Sequence, residues 1–345
     1  MIILAIETSC DDTCISIVEA EKDRGKTKFK VLSNIVFSQV KLHAKYGGVY
    51  PTLAKREHQK NLPIILKKSL KEVKQKIDII AVTAGPGLEP CLWTGINFAQ
   101  NLAKKLKKPI MATNHIEAHI LANFINKETK NTFPAICLVV SGGHTQLILM
   151  KGIGRYKILG ETRDDAAGEC FDKTARILGL GYPGGPIISK LANPKIKVNL
   201  KLPRPMIFQK NYDFSFSGLK TAVLYDFKSR SDKVKHSKKY VQRMAIEIQQ
   251  AIIDVLIHKT IKAAKDFKAK SIVLGGGVAA NQELKEQFQS AINKQDLKVN
   301  LFVPEPILCT DNALMTAVAG YFQWLKGKKW KKIKANANLR IDENI

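Results

Sequence analysis

The sequence has no Cys-x-x-Cys pair. Its six cysteines, Cys10, Cys14, Cys91, Cys137, Cys170 and Cys309, are scattered along the chain. That scatter argues against a zinc ribbon and against a disulfide framework, and leaves small buried thiols in a reducing compartment as the expectation. Long apolar runs are missing as well: no stretch approaches the ~18 residues of a membrane-spanning helix. The first ten residues carry no basic region ahead of their apolar run. They read as a strand rather than a signal peptide, so a cytoplasmic location without membrane contact is expected. Acidic residues are few, 30 against 56 basic ones, which leaves a net charge of +26. Such an excess suits a polyanionic partner, because each lysine that meets a phosphate releases counterions. A lysine bias that merely solvates the surface explains the charge about equally well.

What the sequence does contain is 345 residues, 45% of them apolar, enough for two domains with a core each. The halves read alike. Ile2–Ile6 is apolar, a small polar turn follows over Glu7–Thr13, and a second run covers Cys14–Val18. Ala135–Val140, the turn Ser141–Thr145 and Gln146–Met150 repeat that order. Both read as β-hairpins with phosphate-sized turns. Third strands are expected at Phe29–Leu32 and Tyr156–Leu159, with helices over about Tyr50–Lys74 and Ala166–Leu178. Strands ending in glycine come next, Ile79–Gly87 and Ser271–Gly277, then a helix, a short strand and a final helix in each half.

The order β-β-β-α-β-α-β-α, twice, resembles a duplicated ribonuclease-H-like unit. That is the architecture shared by actin, heat-shock chaperones and sugar kinases (ASKHA), an α/β fold with a nucleotide cleft between its halves. The expected boundaries are residues 1–130 plus about 311–345 for the N-terminal lobe, its final helix packing across the cleft, and 131–310 for the C-terminal lobe. Asn126–Thr132 reads as the linker, and a basic insertion is expected over about 194–240. In such sheets ligands bind beyond the carboxyl ends of the strands. Ser141-Gly142-Gly143 can present bare backbone N–H groups to an anion, and Gly275-Gly276-Gly277 can hold a ribose or base at a helix start. A purely structural turn explains either glycine cluster about as well when taken alone.

Asn114-His115-Ile116-Glu117-Ala118-His119 is the sharpest local signal. Histidines at i and i+4 project from one helix face and can share a metal. Thr310-Asp311-Asn312 opens the equivalent helix of the second half, and pseudo-symmetry would bring its carboxylate from the other lobe to the two imidazoles. A zinc protease needs its glutamate directly after the first histidine. Here Glu117 stands at i+2, roughly 200° round the helix from His115, so that reading is disfavoured. Asp11 and Asp12 on the first turn are candidates for orienting an amine or removing its proton, and equally for capping the turn through the backbone.

Over nearly its whole length the chain resembles the TsaD family, in the bacterial branch. The motifs that carry the resemblance are Glu7–Thr13, Tyr46–Pro51, Ala54–His58, Gly85–Leu88, Asn114–His119, Ser141–Gln146 and Asp164–Glu169. They continue with Phe171–Lys173, Tyr182–Pro186, Phe214–Lys220, Gly275–Asn281 and Cys309–Asn312. The resemblance implies transfer of a threonylcarbamoyl group from threonylcarbamoyl-AMP to the N6 amine of adenosine at position 37, in tRNAs reading codons that begin with A. It implies His115, His119 and Asp311 as ligands of one divalent metal ion per subunit, Fe(2+) or Zn(2+). It implies Val139, Val140, Ser141, Gly142 and Gly143 at the acyl-phosphate end of the substrate, and Asp172, Gly185 and Asn281 at its adenylate ribose and base. It also implies two partners, a shorter TsaB-like paralogue and a TsaE-like small ATPase. The basic clusters Lys104–Lys108, Lys233–Lys239 and Lys326–Lys334, the last with Trp324 and Trp330, could follow tRNA phosphates. Glu89-Pro90 departs from the family pattern, which has a small residue and glycine there. Two other readings compete: a small-molecule kinase or ATPase of the same fold, which has no need of the paired histidines and aspartate, and a non-catalytic scaffold, which predicts missing ligands.

Overall fold

The computed structural model describes residues 1–343 apart from 24, 25, 72, 128–130, 193–195, 197, 329 and 331. Two units are present, Met1–Lys130 with Thr310–Ile345, and Asn131–Cys309.

The first unit is built on a five-stranded sheet, β1 (Ile2–Glu7), β2 (Asp12–Asp23), β3 (Lys26–Ser38), β4 (Ile79–Gly85) and β5 (Ile110–Asn114), in the order β3-β2-β1-β4-β5. β1 runs antiparallel to β2 and parallel to β4. It is buried along its entire length, as a continuous apolar run in a strand covered on both faces should be. Its alternate residues Ile2, Leu4 and Ile6 face α1 (Pro51–Lys71) and α2 (Glu89–Leu106), whose Leu62, Ile65, Leu92 and Ile96 complete that core. The C-terminal helix, Ala313–Leu325, packs on β1, β2, β4 and β5. It lies so close to the sheet that a Cβ on Gly320 would sit 2.5 Å from the Cβ of Ala81. A seven-residue helix, α3 (His115–Leu121), follows β5.

The second unit repeats the plan with β6 (Ala135–Val140), β7 (Thr145–Gly152), β8 (Arg155–Glu161), β9 (Ser271–Gly275) and β10 (Asn300–Phe302), ordered β10-β9-β6-β7-β8. Its helices are α4 (Ala167–Ile177), α5 (Gly184–Leu191), α6 (Ser217–Ser229), α7 (Lys238–Asp266) and α8 (Gln282–Lys294). The apolar stripe Met244, Ile248, Ala251, Ile252 and Val255 of α7 is fully buried in this core. The duplicated ribonuclease-H-like architecture is therefore present in both units.

Several expectations need adjusting. β2 and β3 extend well past the apolar segments Cys14–Val18 and Phe29–Leu32, because backbone pairing continues where the side chains turn polar, from Glu19 opposite Lys30 onward. Asp311 belongs to the first unit, as the expected boundaries have it, and not to the other lobe as pseudo-symmetry suggested. The chain re-enters the first unit at Thr310, and the helix that closes the second repeat in sequence packs on the first unit's sheet. Residues 128–130 of the proposed linker and residues 194, 195 and 197 of the proposed insertion lie outside the described residues, while Asn126 is pinned to β3 by hydrogen bonds to both backbone groups of Phe29.

The insertion is packed rather than appended. Phe214 and Phe216 stack inside the core at a centroid distance of 6.4 Å. Arg204 pairs with Glu247 and Asp254 of α7. The Lys259 side chain of α7 is buried and donates to the Asn211 carbonyl at 3.0 Å. Burial lowers the pKa of that ammonium to about 8, against an ordinary 10.5.

Two stability predictions follow from these contacts. Gly320→Val should cost about 1–3 kcal/mol through overpacking against Ala81, read as a lowered urea midpoint at unchanged m-value. The Lys259 penalty is fully present below pH 8, where both the folded and the unfolded chain carry the charge, and fades as pH rises from 8 toward 10.5. Lys259→Met should therefore stabilise by about 1–2 kcal/mol at pH 7, a gain that shrinks by pH 10 in parallel denaturation curves.

Candidate functional site

β5 ends at Asn114, whose side chain caps α3 by accepting from the N–H groups of Ile116 (2.8 Å) and Glu117 (3.1 Å). Asn114 is itself held by a hydrogen bond to the Leu339 carbonyl. The cap fixes the first turn of α3, so His115 and His119 project together with ring centroids 4.6 Å apart. At the start of the C-terminal helix, Asn312 accepts from Met315 N–H and donates to Thr310, while Cys14 of β2 donates its thiol to the Asp311 carbonyl. These bonds place Asp311 Oδ1 3.6 Å from His115 Nε2 and 3.3 Å from His119 Nε2.

The donor set suits a cation. Two imidazoles and a carboxylate offer one atom each within 4.8 Å of one another. Ligands held ~2.0–2.2 Å from a tetrahedral ion lie about 3.4 Å apart, close to the 3.6 and 3.3 Å from Asp311 Oδ1 to the two imidazoles. His119 is buried, its Nδ1 makes no hydrogen bond among the described residues, and its Nε2 faces Asp311 Oδ1 at 3.3 Å. The imidazoles are buried and Asp311 is 21% exposed, so the centre opens to solvent on its carboxylate side. Glu117 is turned away from the centre and accepts from Gln323 Nε2 at 3.0 Å, as a residue at i+2 must be.

Behind His115 sits a carboxylate to which the sequence reading assigned no role. Glu7, at the end of β1, lies 3.3 Å from His115 Nδ1 and also accepts from Ser9 N–H, Thr83 Oγ1 and Thr316 Oγ1. A carboxylate on Nδ1 keeps a proton there and leaves Nε2 aimed into the site. Burial pulls the His115 pKa down, but Asp311 and Glu7 together outweigh it and raise the value to about 9. Burial dominates for His119, whose pKa is lowered. The signal for Glu7 was an acidic residue closing an otherwise apolar strand.

Asp11 and Asp12 lie on the β1–β2 turn of the same unit. One oxygen of each, Asp11 Oδ2 and Asp12 Oδ1, is buried with no hydrogen-bond partner among the described residues, while the Asp11 carboxyl also bonds its own backbone N–H, as turn capping would have it, and the Asp12 carboxyl bonds Ser38. Burial raises both carboxyls, and Asp12, with Asp311, Asp11 and Glu7 nearby, is pushed up to about 7.

The remaining predicted site residues belong to the second unit. Val139 and Val140 are buried core residues of β6, so they can offer a ligand only their backbone. The turn after them is closed by Ser141 N–H donating to His144 O and His144 N–H donating to Ser141 Oγ, leaving Gly142 and Gly143 exposed with open space where a Cβ would stand. Gly276 adopts φ +85° against β6, where a Cβ would meet the Val140 carbonyl at 2.4 Å. Asp172 and Asn281 already have structural work. Asp172 accepts from Gly184 N–H, at the start of the helix that holds Gly185. Asn281 caps α8 through Leu284 N–H and donates to Gln249.

Of the basic clusters, Lys104, Lys107 and Lys108 share a groove of about 660 Å³ with Trp330 and Lys332. Residues 329 and 331 of the third cluster are outside those described, and Lys233–Lys239 lies on a short helix and the start of α7. Pro90 sits in the first turn of α2, where no N–H is needed, so the departure at Glu89-Pro90 is accommodated as a helix start.

Fold and centre together define an ASKHA-type α/β protein carrying a two-histidine, one-carboxylate site. Full-length HypF in its phosphate- and nucleotide-bound form has the same fold, with a TM-score of 0.59 and 11% identity over 96% of this chain and 56% of that one. The ROK hexokinase of Thermus thermophilus matches at a TM-score of 0.50 and 15% identity, covering 95% of this chain and 100% of that one. The family model described as "TsaD: tRNA N6-adenosine threonylcarbamoyltransferase" matches residues 30–318. Curated relatives bearing that name are 46% identical in Thermosipho africanus, over 99% of this chain and 100% of the relative, and 47% identical in Persephonella marina, over 100% and 97%. The chain belongs to the TsaD family.

If the trio holds a metal, the purified wild-type chain should contain about one ion by elemental analysis, and the His115→Ala/His119→Ala variant almost none. Glu7→Gln should weaken metal affinity about 10–100-fold in competition with a chelator, the usual loss when a ligand's hydrogen-bonded carboxylate is removed.

Proposed function

We propose that this chain transfers the threonylcarbamoyl group of threonylcarbamoyl-AMP to the N6 amine of adenosine 37 in tRNAs reading codons that begin with A. The observation that carries the reading is 46–47% identity to threonylcarbamoyltransferases over 99–100% of the chain. The chemistry of the residues fits it. In the reaction the amine nitrogen attacks the carbamoyl carbon of a mixed anhydride, the bond from that carbon to the phosphate oxygen breaks, and AMP leaves with the bonding pair. The N6 proton must go to a base. Asp12 is assigned that role, because it stands on the β1–β2 turn with one buried carboxylate oxygen that no described residue engages. Asp11 orients the amine beside it.

His115, His119 and Asp311 hold one divalent ion, Fe(2+) or Zn(2+). When bound, such an ion supplies Lewis-acid polarisation of a substrate oxygen. Glu7 fixes the ring orientation of His115. In the second unit the exposed N–H groups of Gly142 and Gly143 suit the phosphate, as backbone donors need no reorganisation as charge shifts. Gly185, with Asp172 and Asn281 shaping the surrounding helix starts, takes the ribose and base. The working complex includes a shorter TsaB-like paralogue and a TsaE-like small ATPase, and its place is the cytoplasm. No helix among the described residues is long and apolar enough to cross a membrane. A kinase reading finds support only in fold likeness, and a scaffold reading has no use for a complete donor trio.

The test is reconstitution with threonylcarbamoyl-AMP, tRNA and the partner proteins, followed by nucleoside mass spectrometry. Wild type should produce threonylcarbamoyladenosine; its absence, with metal and partners present, removes the reading. Asp12→Asn should lower kcat by about 100-fold or more while leaving metal content and adenylate binding near wild type.

A further inference from the structure

Large aromatic rings left in water usually stand alone, and a single one needs no explanation. Tyr46 and Tyr50 are different. They are 62% and 55% exposed, yet their rings touch, with centroids 5.8 Å apart and planes inclined by 31°. Exposed cations surround them in sequence, Lys41 and Lys45 before the pair and Lys55 and Arg56 after it. Two contacting rings among cations, with one half-buried acid, Glu57, in the same stretch, form a surface suited to stacked bases and phosphates.

The segment that carries the pair is tied to the Asp11–Asp12 turn. Gln39 N–H donates to the Asp11 carbonyl at 3.2 Å, and Gln39 Oε1 lies 3.1 Å from His43 Nε2. Tyr50 N–H donates to His43 Nδ1 at 3.3 Å, so the ring proton of His43 is on Nε2 and points at Gln39. Gln39 Nε2 in turn donates to the Ala54 carbonyl. On the other flank His58, from the helix that follows Tyr50, bonds the Cys10 carbonyl at 2.9 Å and Thr13 Oγ1 at 2.8 Å. Gln39, His43 and His58 are all buried. Short polar side chains inside the fold thus hold an exposed aromatic pair at a set position relative to the turn assigned to the amine.

We propose that Tyr46 and Tyr50 are a stacking platform for a tRNA base next to the reacting adenosine, with Lys41 and Lys45 on the adjoining phosphates. The inference rests on the transferase reading. An adenosine whose N6 must be presented to a carbamoyl donor cannot stay stacked within its loop, and its neighbours then need another surface to stack on. Tyr46 and Tyr50 are positioning residues here.

The test compares Tyr46→Ala, Tyr50→Ala, Tyr46→Phe and Tyr50→Phe in the full chain with its partner proteins. Each alanine variant should raise the KM and Kd for tRNA about tenfold, the loss of one base–aromatic stack. The phenylalanine variants should stay within about twofold, since a ring without its hydroxyl still stacks. The KM for threonylcarbamoyl-AMP, metal content and melting temperature should not move in any of them. Unchanged tRNA KM in both alanine variants overturns the proposal, as does a phenylalanine variant as impaired as its alanine counterpart. Lost association with a partner protein at unchanged tRNA affinity also overturns it and assigns the pair to a protein contact. A wild-type enzyme that transfers nothing to tRNA fails at an earlier step and removes the transferase reading itself.

Discussion

Glu7 is a carboxylate fully buried at the end of the central strand of the first unit, and the arrangement of the histidine–aspartate cluster depends on it. It accepts from Ser9 on the following turn, Thr83 on β4, Thr316 on the C-terminal helix and His115 on α3. A charge in that position is tolerated only because every bond is made, and the group is held ionised, against the pull of burial, by the imidazole beside it. Four segments far apart in sequence are thereby fixed at one point. The geometry of His115, His119 and Asp311 is a consequence: each of their helices begins at a capped asparagine, and the side of His115 facing away from the centre rests on Glu7.

The duplication was put to different uses in the two units. After β1 the hairpin turn is acidic and partly buried, with oxygen atoms left without partners; after β6 it is glycine-rich, exposed and short of side chains. The first gathers carboxylates and the second offers bare backbone N–H groups. The same divergence marks the helix starts. In the first unit they present two imidazoles and a carboxylate, whereas in the second Asp172 and Asn281 organise helix N-termini.

Lysine excess, the most conspicuous compositional feature, is a weak guide by itself. Lys259 shows why: it is buried and bonded to the Asn211 carbonyl, at a cost in stability, rather than meeting a polyanion. Arg204 does the same with Glu247 and Asp254. Cations gain meaning where paired exposed rings accompany them, as around Tyr46 and Tyr50.

Local pattern was enough to reveal the paired hairpins, the glycine-ended strands, the i, i+4 histidines and the family, because each depends on neighbours within a few residues. Even the outward turn of Glu117 follows from helix geometry alone. The lengths of β2 and β3 did not, since their polar ends are held by backbone bonds that leave no mark on side-chain patterning. Nor did the distances between Asp311 and the two histidines, or the role of Glu7. Both were decided by the C-terminal helix, which lies against β4 through Gly320 and brings Thr316 to Glu7 and Asp311 to the histidines. Which residues could carry chemistry is thus a property of the sequence. Which of them share one buried, mutually satisfied cluster is set by long-range packing, because a carboxylate tolerates burial only where the whole fold supplies its partners.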